Sequence, residues 1–561
     1  MYIFYDLETT GLERDFAQIL QIGLIFADDD MNILSMKKLE ARVSPWTVPG
    51  PGALLTTGFT AADLKSAKNS AFELMQEVDQ WARSQYWPVI FSGYNNIGYD
   101  DDILAQNLHQ NLLDSDMLSA KNPSNGLANS RFDVMIAVQA ASAYMPELLT
   151  LTQKNANGAP SMKLGVVARQ NNVGLSEEDA HDAMNDIKAT LGVAKLVKKS
   201  APQLWEQLTK TASVEGVDAF VKENAVFTHT AFSFGNKNPA VVTSLGARNG
   251  SGVTEIMFDL SLDPKPYLTM TVDELKQAIL DQSKKAPRGQ PDPVSAFRLV
   301  RKTQQPILMP LDMSEAVLPA DFDEKLANDR AALIKANPQF LDNIREAAKL
   351  AKEERPAKTP TWTTQPEELL HEESTPATKA KLDAWCKEFR DAPSWKEAAN
   401  LVTNFRTRFA EEIKEDENIT RFVKFAGRVV YENAPEELSL EKQEAMKRFI
   451  ANHILDTNSD VPWMTVAKAR RELDRIEQDR LDPKKKDKWA EVTDTQIRSL
   501  KLYYTSLEKE YGPYLPQKPL APAADFNAAA PVQPPVPPLA AENDNAPVAL
   551  KKTGNDPLKP V

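Results

Sequence analysis

Apolar residues at strand-like spacing dominate the start of the chain. Tyr2 to Tyr5 is a short β-prone run and Ile19 to Ala27 a longer one, and Asp28, Asp29 and Asp30 mark a turn into a third run at Met31 to Leu34. Three neighbouring strands of this kind predict a meander. Ala71, Leu74, Met75, Val78 and Trp81 then fall on one face of a helix over Ala71 to Arg83. A strand at Val89 to Phe91 and a turn at Gly93 to Asn96 follow. The first 200 residues therefore read as α/β.

From Ala225 to Thr271 the pattern changes to β-rich pieces, Val226 to Phe234, Ala240 to Leu245 and Val253 to Leu260, separated by glycine- and asparagine-rich turns. Beyond Asp321 the chain is rich in Ala, Glu, Lys, Arg and Leu, and the Pro356 to Pro360 stretch interrupts the helical signal. Helical periodicity resumes over Ala377 to Arg390, Trp395 to Glu415, Ser439 to Leu455 and Thr465 to Arg480. Residues from Pro516 to Val561 include 11 prolines and predict a disordered, polyproline-biased tail. The expected domains are 1–200, 201–355 and 356–512, with a tail over 513–561.

Composition narrows the class. A length of 561 residues suggests three to four domains at about 150 residues each. With 42% hydrophobic and 26% charged residues the chain has a globular composition. No apolar stretch is long enough to span a membrane, and Asp6 and Glu8 occupy the place where a signal peptide needs an apolar run, so a cytoplasmic protein is expected. The single cysteine, Cys386, excludes an intrachain disulfide and a thiolate zinc site. A net charge of −13 argues against a long-range field drawing the whole molecule to nucleic acid, while leaving room for a local basic groove and for acidic clusters that hold metal.

Candidate chemistry begins at Asp6-Leu7-Glu8. The two-residue period of a strand puts both carboxylates on one face, an arrangement shared by cation sites and by ordinary solvated strand ends. Asp100, after the Asn95 to Tyr99 loop, stands at a loop-to-helix junction, where it is either a third carboxylate of the same centre or a helix cap. His181 precedes Asp186 by five residues beside an acidic cluster and ahead of a helical pattern at Ile187, Leu191 and Val193. Carboxylate oxygens suit Mg²⁺ or Mn²⁺, and a pair of such ions about 3.5–4 Å apart stabilises the attacking and leaving oxygens of a phosphodiester displacement. A neutral imidazole at His181 suits proton removal from the attacking water.

Taken together, Asp-x-Glu, Asp and His-x4-Asp resemble the motifs of the DEDDh 3′ to 5′ exonucleases, on Asp6, Glu8, Asp100, His181 and Asp186. Further segments are similar to the exodeoxyribonuclease I branch of that family: Gly93 to Asn96 with Tyr99 to Asp101, Asn129 to Asp133, Ser161 to Leu164, and Ala194 to Lys198. Lys163 stands where that branch has arginine. Phe297 to Arg301 with Pro306 to Leu308 resembles its SH3-like domain, and the similarity extends over residues 1–510.

The resemblance implies a ribonuclease H-like exonuclease domain, an SH3-like β-rich domain and an all-helical C-terminal domain. It implies an Mg²⁺-dependent 3′ to 5′ exonuclease with two ions, Mn²⁺ substituting, that degrades single-stranded DNA to 5′-mononucleotides in repair and recombination. Asp6, Glu8, Asp100 and Asp186 are then metal ligands and His181 the general base. Glu8, Lys163, Phe59 and Arg131 are the expected substrate contacts, Phe59 from a Thr57 to Thr60 turn that also suits a merely buried ring. Single-stranded DNA and a single-stranded DNA-binding protein are the expected partners of a monomer. Lys195, Lys198, Lys199, Arg298, Arg301 and Lys302 are expected along the DNA channel. An RNA-trimming exonuclease and a non-catalytic DNA-binding scaffold are the alternatives.

Overall fold

A computed structural model describes residues 1–516, apart from 86, 123–125, 174–181, 248–251, 282–294, 355–360, 373 and 484. His181 and the Pro-rich tail beyond 516 lie outside the described residues. Met1–Leu515 forms one compact unit.

The expected meander is present. Strands β1 (Tyr2–Thr9), β2 (Ile19–Ala27) and β3 (Ile33–Glu40) pair antiparallel, while β4 (Ile90–Gly93) and β5 (Ser130–Asp133) extend the sheet in parallel, giving the order β3-β2-β1-β4-β5. Both faces are covered. Tyr2 and Phe4 point to one core with the helices Val134–Tyr144, Ala183–Ser200 and Pro202–Lys210. Ile3, Tyr5 and Leu7 point to the other, with Ala71–Ser84 and Asp100–Gln110. Strand β2 is buried on both faces, which explains its near-continuous apolar sequence.

A second, antiparallel sheet follows: β6 (Phe227–Ser233), β7 (Asn236–Ala247), β8 (Thr254–Asp259), β9 (Phe297–Arg301) and β10 (Ile307–Pro310), in the order β10-β6-β7-β8-β9. The helices Val272–Asp281, Glu324–Lys335 and Pro338–Glu353 bury their apolar stripes against it. Tyr144, the last residue of the helix Val134–Tyr144 packed on the first sheet, shares hydroxyl bonds with Thr228 and Thr230 of β6 at 2.9 and 2.8 Å.

The remaining chain is helical, from Pro376–Arg390 to Asp494–Tyr511. The helix expected over Trp395 to Glu415 is two, Trp395–Arg408 and Ala410–Glu415. Phe409 leaves the helical conformation at the break, and its buried ring stacks on Phe405 at 4.6 Å, so core packing overrides a continuous local propensity. The helical region packs on the first sheet's surroundings: Leu20, Val48 and Leu54 share a core with Ile450, Leu473 and Tyr504. Among the described residues no helix is long and apolar enough to cross a membrane.

Candidate active site

The alternation of β1 places the two acidic residues. Asp6 and Glu8 continue the face begun by Tyr2 and Phe4, where the helix Ala183–Ser200 crosses the sheet. That crossing is close because the residue paired with Asp6 on β2 is Gly23. A Cβ there would lie 2.5 Å from Ile187 Cδ1 and 3.1 Å from the Ala183 carbonyl carbon and oxygen. The helix start is held by two further contacts from the sheet. The Ala183 amide donates to Gln21 Oε1 at 3.0 Å, and Lys38 pairs with Asp182, whose carboxylate accepts from the Met184 and Asn185 amides.

The result is that Asp6, Glu8 and Asp186 each present a carboxylate oxygen, all within 4.8 Å of one another. Asp100, the first residue of its helix and buried, lies outside this trio yet exerts the largest charge effect on Asp6. The loop before it is shaped by Asn95 in the left-handed region (φ 65°) and by Gly93, where a Cβ would meet Asn96 Cβ and the Tyr5 carbonyl oxygen, each at 2.9 Å. The N-cap position is taken by Tyr99 and Asp100 is the first helical residue, so Asp100 is not the helix cap.

Burial and mutual repulsion set the electrostatics. Burial, then the charges of Asp100, Glu8 and Asp186, holds Asp6 well above the usual carboxylate range. Burial, then Asp186 and Asp182, pushes Glu8 up to about 8 against the opposing pull of Lys38. Burial, then Asp101 and Asp133, raises Asp100 well above its ordinary value. Four neighbouring carboxyl groups, three of them raised by burial and then by one another's charges, fit a hard cation, which would offset both effects.

The other expected contacts sit differently. Lys163 is exposed at the start of the helix Leu164–Gln170, and Tyr94 donates to the adjacent Met162 carbonyl at 2.7 Å, joining this segment to the loop after β4. Phe59 follows Gly58 (φ 78°) and is half-buried against the core that contains Leu54, Leu64 and Tyr504. Arg131 is brought to Asp101 at 2.8 Å and to the Thr303 carbonyl rather than to the trio.

The basic run at β9 needs correction. Lys302 is 1% exposed and pairs with Asp218 and Glu255, while Arg298 pairs with Asp259 and bonds to Asn238, so both serve the second sheet's interior. A buried charge requires a partner, and sequence proximity to other cations does not reveal that demand. Sequence reading also missed Asp101, Asp133 and Gly23. The acidic triplet Asp100 to Asp102 was a visible signal for the first, whereas Gly23 is recognisable only through its pairing with Asp6.

Comparison with known proteins agrees with this architecture. Residues 209–349 match the family described as the Exonuclease I SH3-like domain. The chain is 25% identical over 353 residues to exodeoxyribonuclease I of Escherichia coli K12, covering 61% of this chain and 71% of that protein. It is 26% identical over 350 residues to exodeoxyribonuclease I of Haemophilus influenzae, covering 61% and 72%. Among solved structures, exonuclease I from Methylocaldum szegediense superposes with a TM-score of 0.69 at 21% identity, covering 90% of this chain and 99% of the other. E. coli exonuclease I in complex with a dA16 oligonucleotide gives 0.67 at 20%, with the same coverage. A structure described as an ExoI/SSB-Ct complex gives 0.66 at 20%, again covering 90% and 99%. At these identities the structural likeness establishes the fold.

Proposed function

We propose that this chain, which belongs to the exonuclease I family, is an Mg²⁺-dependent 3′ to 5′ exonuclease that hydrolyses single-stranded DNA to 5′-mononucleotides. The observation that carries the reading is the Asp6, Glu8 and Asp186 trio, three carboxylate oxygens within 4.8 Å on the buried side of a sheet, with Asp100 beside them. These four side chains would hold the cations, two Mg²⁺ with Mn²⁺ able to substitute. When bound, the cations supply positive charge to the scissile phosphodiester and to the developing charge of its transition state.

The chain's own groups do the rest. His181, assigned by its place in the family motif, takes a proton from the attacking water on an imidazole nitrogen. Asp182, next to it, is fixed by Lys38 and by the helix start that it caps, which anchors the segment from which Asp186 projects. Lys163, exposed and lacking a carboxylate partner among the described residues, is the contact proposed for a substrate phosphate, and Phe59 a contact for a terminal base. Polarity and single-strand preference rest on the family relationship. The segments 1–200, 201–355 and 356–512 are taken as the nuclease, SH3-like and helical domains of a cytoplasmic protein acting in DNA repair and recombination. A single-stranded DNA-binding protein is its proposed partner, a reading supported by the likeness to the ExoI/SSB-Ct complex.

A time course on 5′-labelled single-stranded DNA with Mg²⁺, beside a matching RNA, a 3′-blocked DNA and the Asp186→Asn protein, tests the reading. Stepwise shortening of the free DNA alone, absent in the variant, is expected. Equal loss of RNA would overturn the DNA preference, and binding without shortening would leave a scaffold.

A further inference from the structure

The nuclease centre is braced from behind by the second sheet. Asp101, 2% exposed, follows Asp100 in the chain, and its carboxylate accepts from three directions: the Tyr5 hydroxyl, Asn96 Nδ2 at 3.0 Å and Arg131 Nη1 at 2.8 Å. Tyr5 precedes Asp6 on β1. Asp101 therefore joins the strand that carries two carboxylates of the centre, Asp6 and Glu8, to the helix that carries Asp100. A buried carboxylate with three donors on different elements fixes their relative positions, because displacement of any one leaves a charge without its bonds.

Arg131 extends this brace across the domain boundary. It sits on β5, the edge of the first sheet, opposite Phe91, and its second Nη donates to the Thr303 carbonyl at 2.8 Å. Thr303 lies in the turn Lys302–Gln304 that joins β9 to β10 in the second sheet. The residue after that turn adds a second bond: the Asp133 amide donates to Gln305 Oε1 at 2.7 Å. Asp133 itself accepts from the Asn95 amide at 2.8 Å, inside the loop that leads to Asp100. Gln305 is buried and in the left-handed region (φ 46°), and Lys302 is held by Asp218 and Glu255, so the turn is fixed on its own side as well. Two routes thus run from one turn of the second sheet to the neighbourhood of Asp100, through Arg131 and Asp101 and through Gln305, Asp133 and Asn95.

We propose that Arg131 and Gln305 are positioning residues by which the second sheet sets the cation affinity of the nuclease centre, through Asp101 and Asp133, and that Arg131 is not a contact for DNA. This rests on the reading of Asp6, Glu8, Asp100 and Asp186 as cation ligands. Groups that orient metal ligands from behind typically change affinity or activity by about 10–100-fold when removed.

The test measures Mn²⁺ affinity of the full-length protein by electron paramagnetic resonance of the free ion, with kcat on single-stranded DNA at sub-saturating Mn²⁺ and kcat and KM at saturating Mn²⁺. Arg131→Lys keeps the charge but lacks the fork that reaches both Asp101 and Thr303, and Gln305→Met keeps the shape but removes the acceptor for the Asp133 amide. Both are expected to weaken Mn²⁺ binding by about tenfold, to lower kcat at sub-saturating Mn²⁺, and to leave the KM for DNA within about twofold. Wild-type Mn²⁺ affinity in either folded variant overturns the proposal, and a raised KM for DNA with unchanged Mn²⁺ affinity in Arg131→Lys returns that residue to the substrate. Thermal melting identifies a variant that fails to fold, in which case the other decides. Failure of the wild-type protein to bind Mn²⁺ would instead overturn the cation reading together with the proposal that rests on it.

Discussion

Two buried acidic clusters in this molecule follow opposite electrostatic rules. At the junction of the first sheet with the helical region, Glu367 is buried with Arg428, whose guanidinium also lies 4.7 Å from the Phe449 ring centre. Burial pushes the Glu367 carboxyl up, but the charge of Arg428 opposes it and the net direction is downward. At the end of β1, Asp6, Glu8 and Asp100 are driven upward by burial and by neighbouring carboxylates, with Asp186 acting on Asp6 and Glu8 and Lys38 opposing at Glu8. One cluster is balanced by the chain itself. In the other, carboxylates raise one another in an arrangement that a bound cation would balance, and that difference separates a buried carboxylate matched by a cationic side chain from a set suited to a metal ion.

The largest expected effect comes from exchanging a member of each cluster. Asp6→Asn is expected to abolish turnover while leaving the melting temperature of the cation-free protein equal to or above wild type, since it removes repulsion rather than a bond. Glu367→Gln is expected to do the reverse: it leaves Arg428 buried without its counter-charge, at a cost of about 3–5 kcal/mol in stability, with Mn²⁺ affinity unchanged. Denaturant unfolding and Mn²⁺ binding on both variants check the pair, and loss of stability in Asp6→Asn as large as in Glu367→Gln would erase the distinction.

How far these roles are legible in the sequence differs in the same way. Asp6 and Glu8 were readable because strand alternation is local, and Asp100 because a loop-to-helix junction is local too. The antiparallel start of the first sheet and the β-rich second region followed from the same periodicities. Lys302 was misleading because it is a cation near Arg298 and Arg301 in sequence while its partners, Asp218 and Glu255, are contributed by distant segments. The break at Phe409 was hidden for a related reason, as the ring's packing, not the local propensity, sets it.

A smaller effect tests whether the strain at β1 is as unbalanced as its surroundings imply. Glu8 in the folded protein titrates at about 8, against an ordinary value of 4.5. A carboxyl raised in this way contributes stability that is fully present below pH 4.5 and is lost as pH rises through about 8, because the unfolded chain releases its proton first. Without divalent cations, Glu8→Gln is therefore expected to melt at the wild-type temperature near pH 4.5 and above it at pH 8. Saturating Mg²⁺ is expected to stabilise the wild type more than the variant. Melting curves that coincide at both pH values would show that Lys38 already balances Glu8, making the two clusters alike.

The smallest expected effect concerns the geometry that forces the charges together. Gly23→Ala introduces a Cβ against the Ala183–Ser200 helix, with its shortest contact, 2.5 Å, to the far end of the flexible Ile187 side chain. That contact alone is relieved by rotation or by Ile187→Val. The contacts of 3.1 Å to the Ala183 carbonyl group are with backbone, so the helix start must move by a few tenths of an ångström. Overpacking of this kind costs about 1–3 kcal/mol. Because the displaced turn carries Asp186, the variant is expected to need more Mn²⁺ for half-maximal binding than wild type, and the Gly23→Ala, Ile187→Val double variant is expected to recover stability without recovering Mn²⁺ affinity. Recovery of both would mean that only the isoleucine was crowded and that the close crossing at Gly23 does not set the separation of the carboxylates; recovery of stability alone ties the absent side chain at Gly23 to the unbalanced charge beside it.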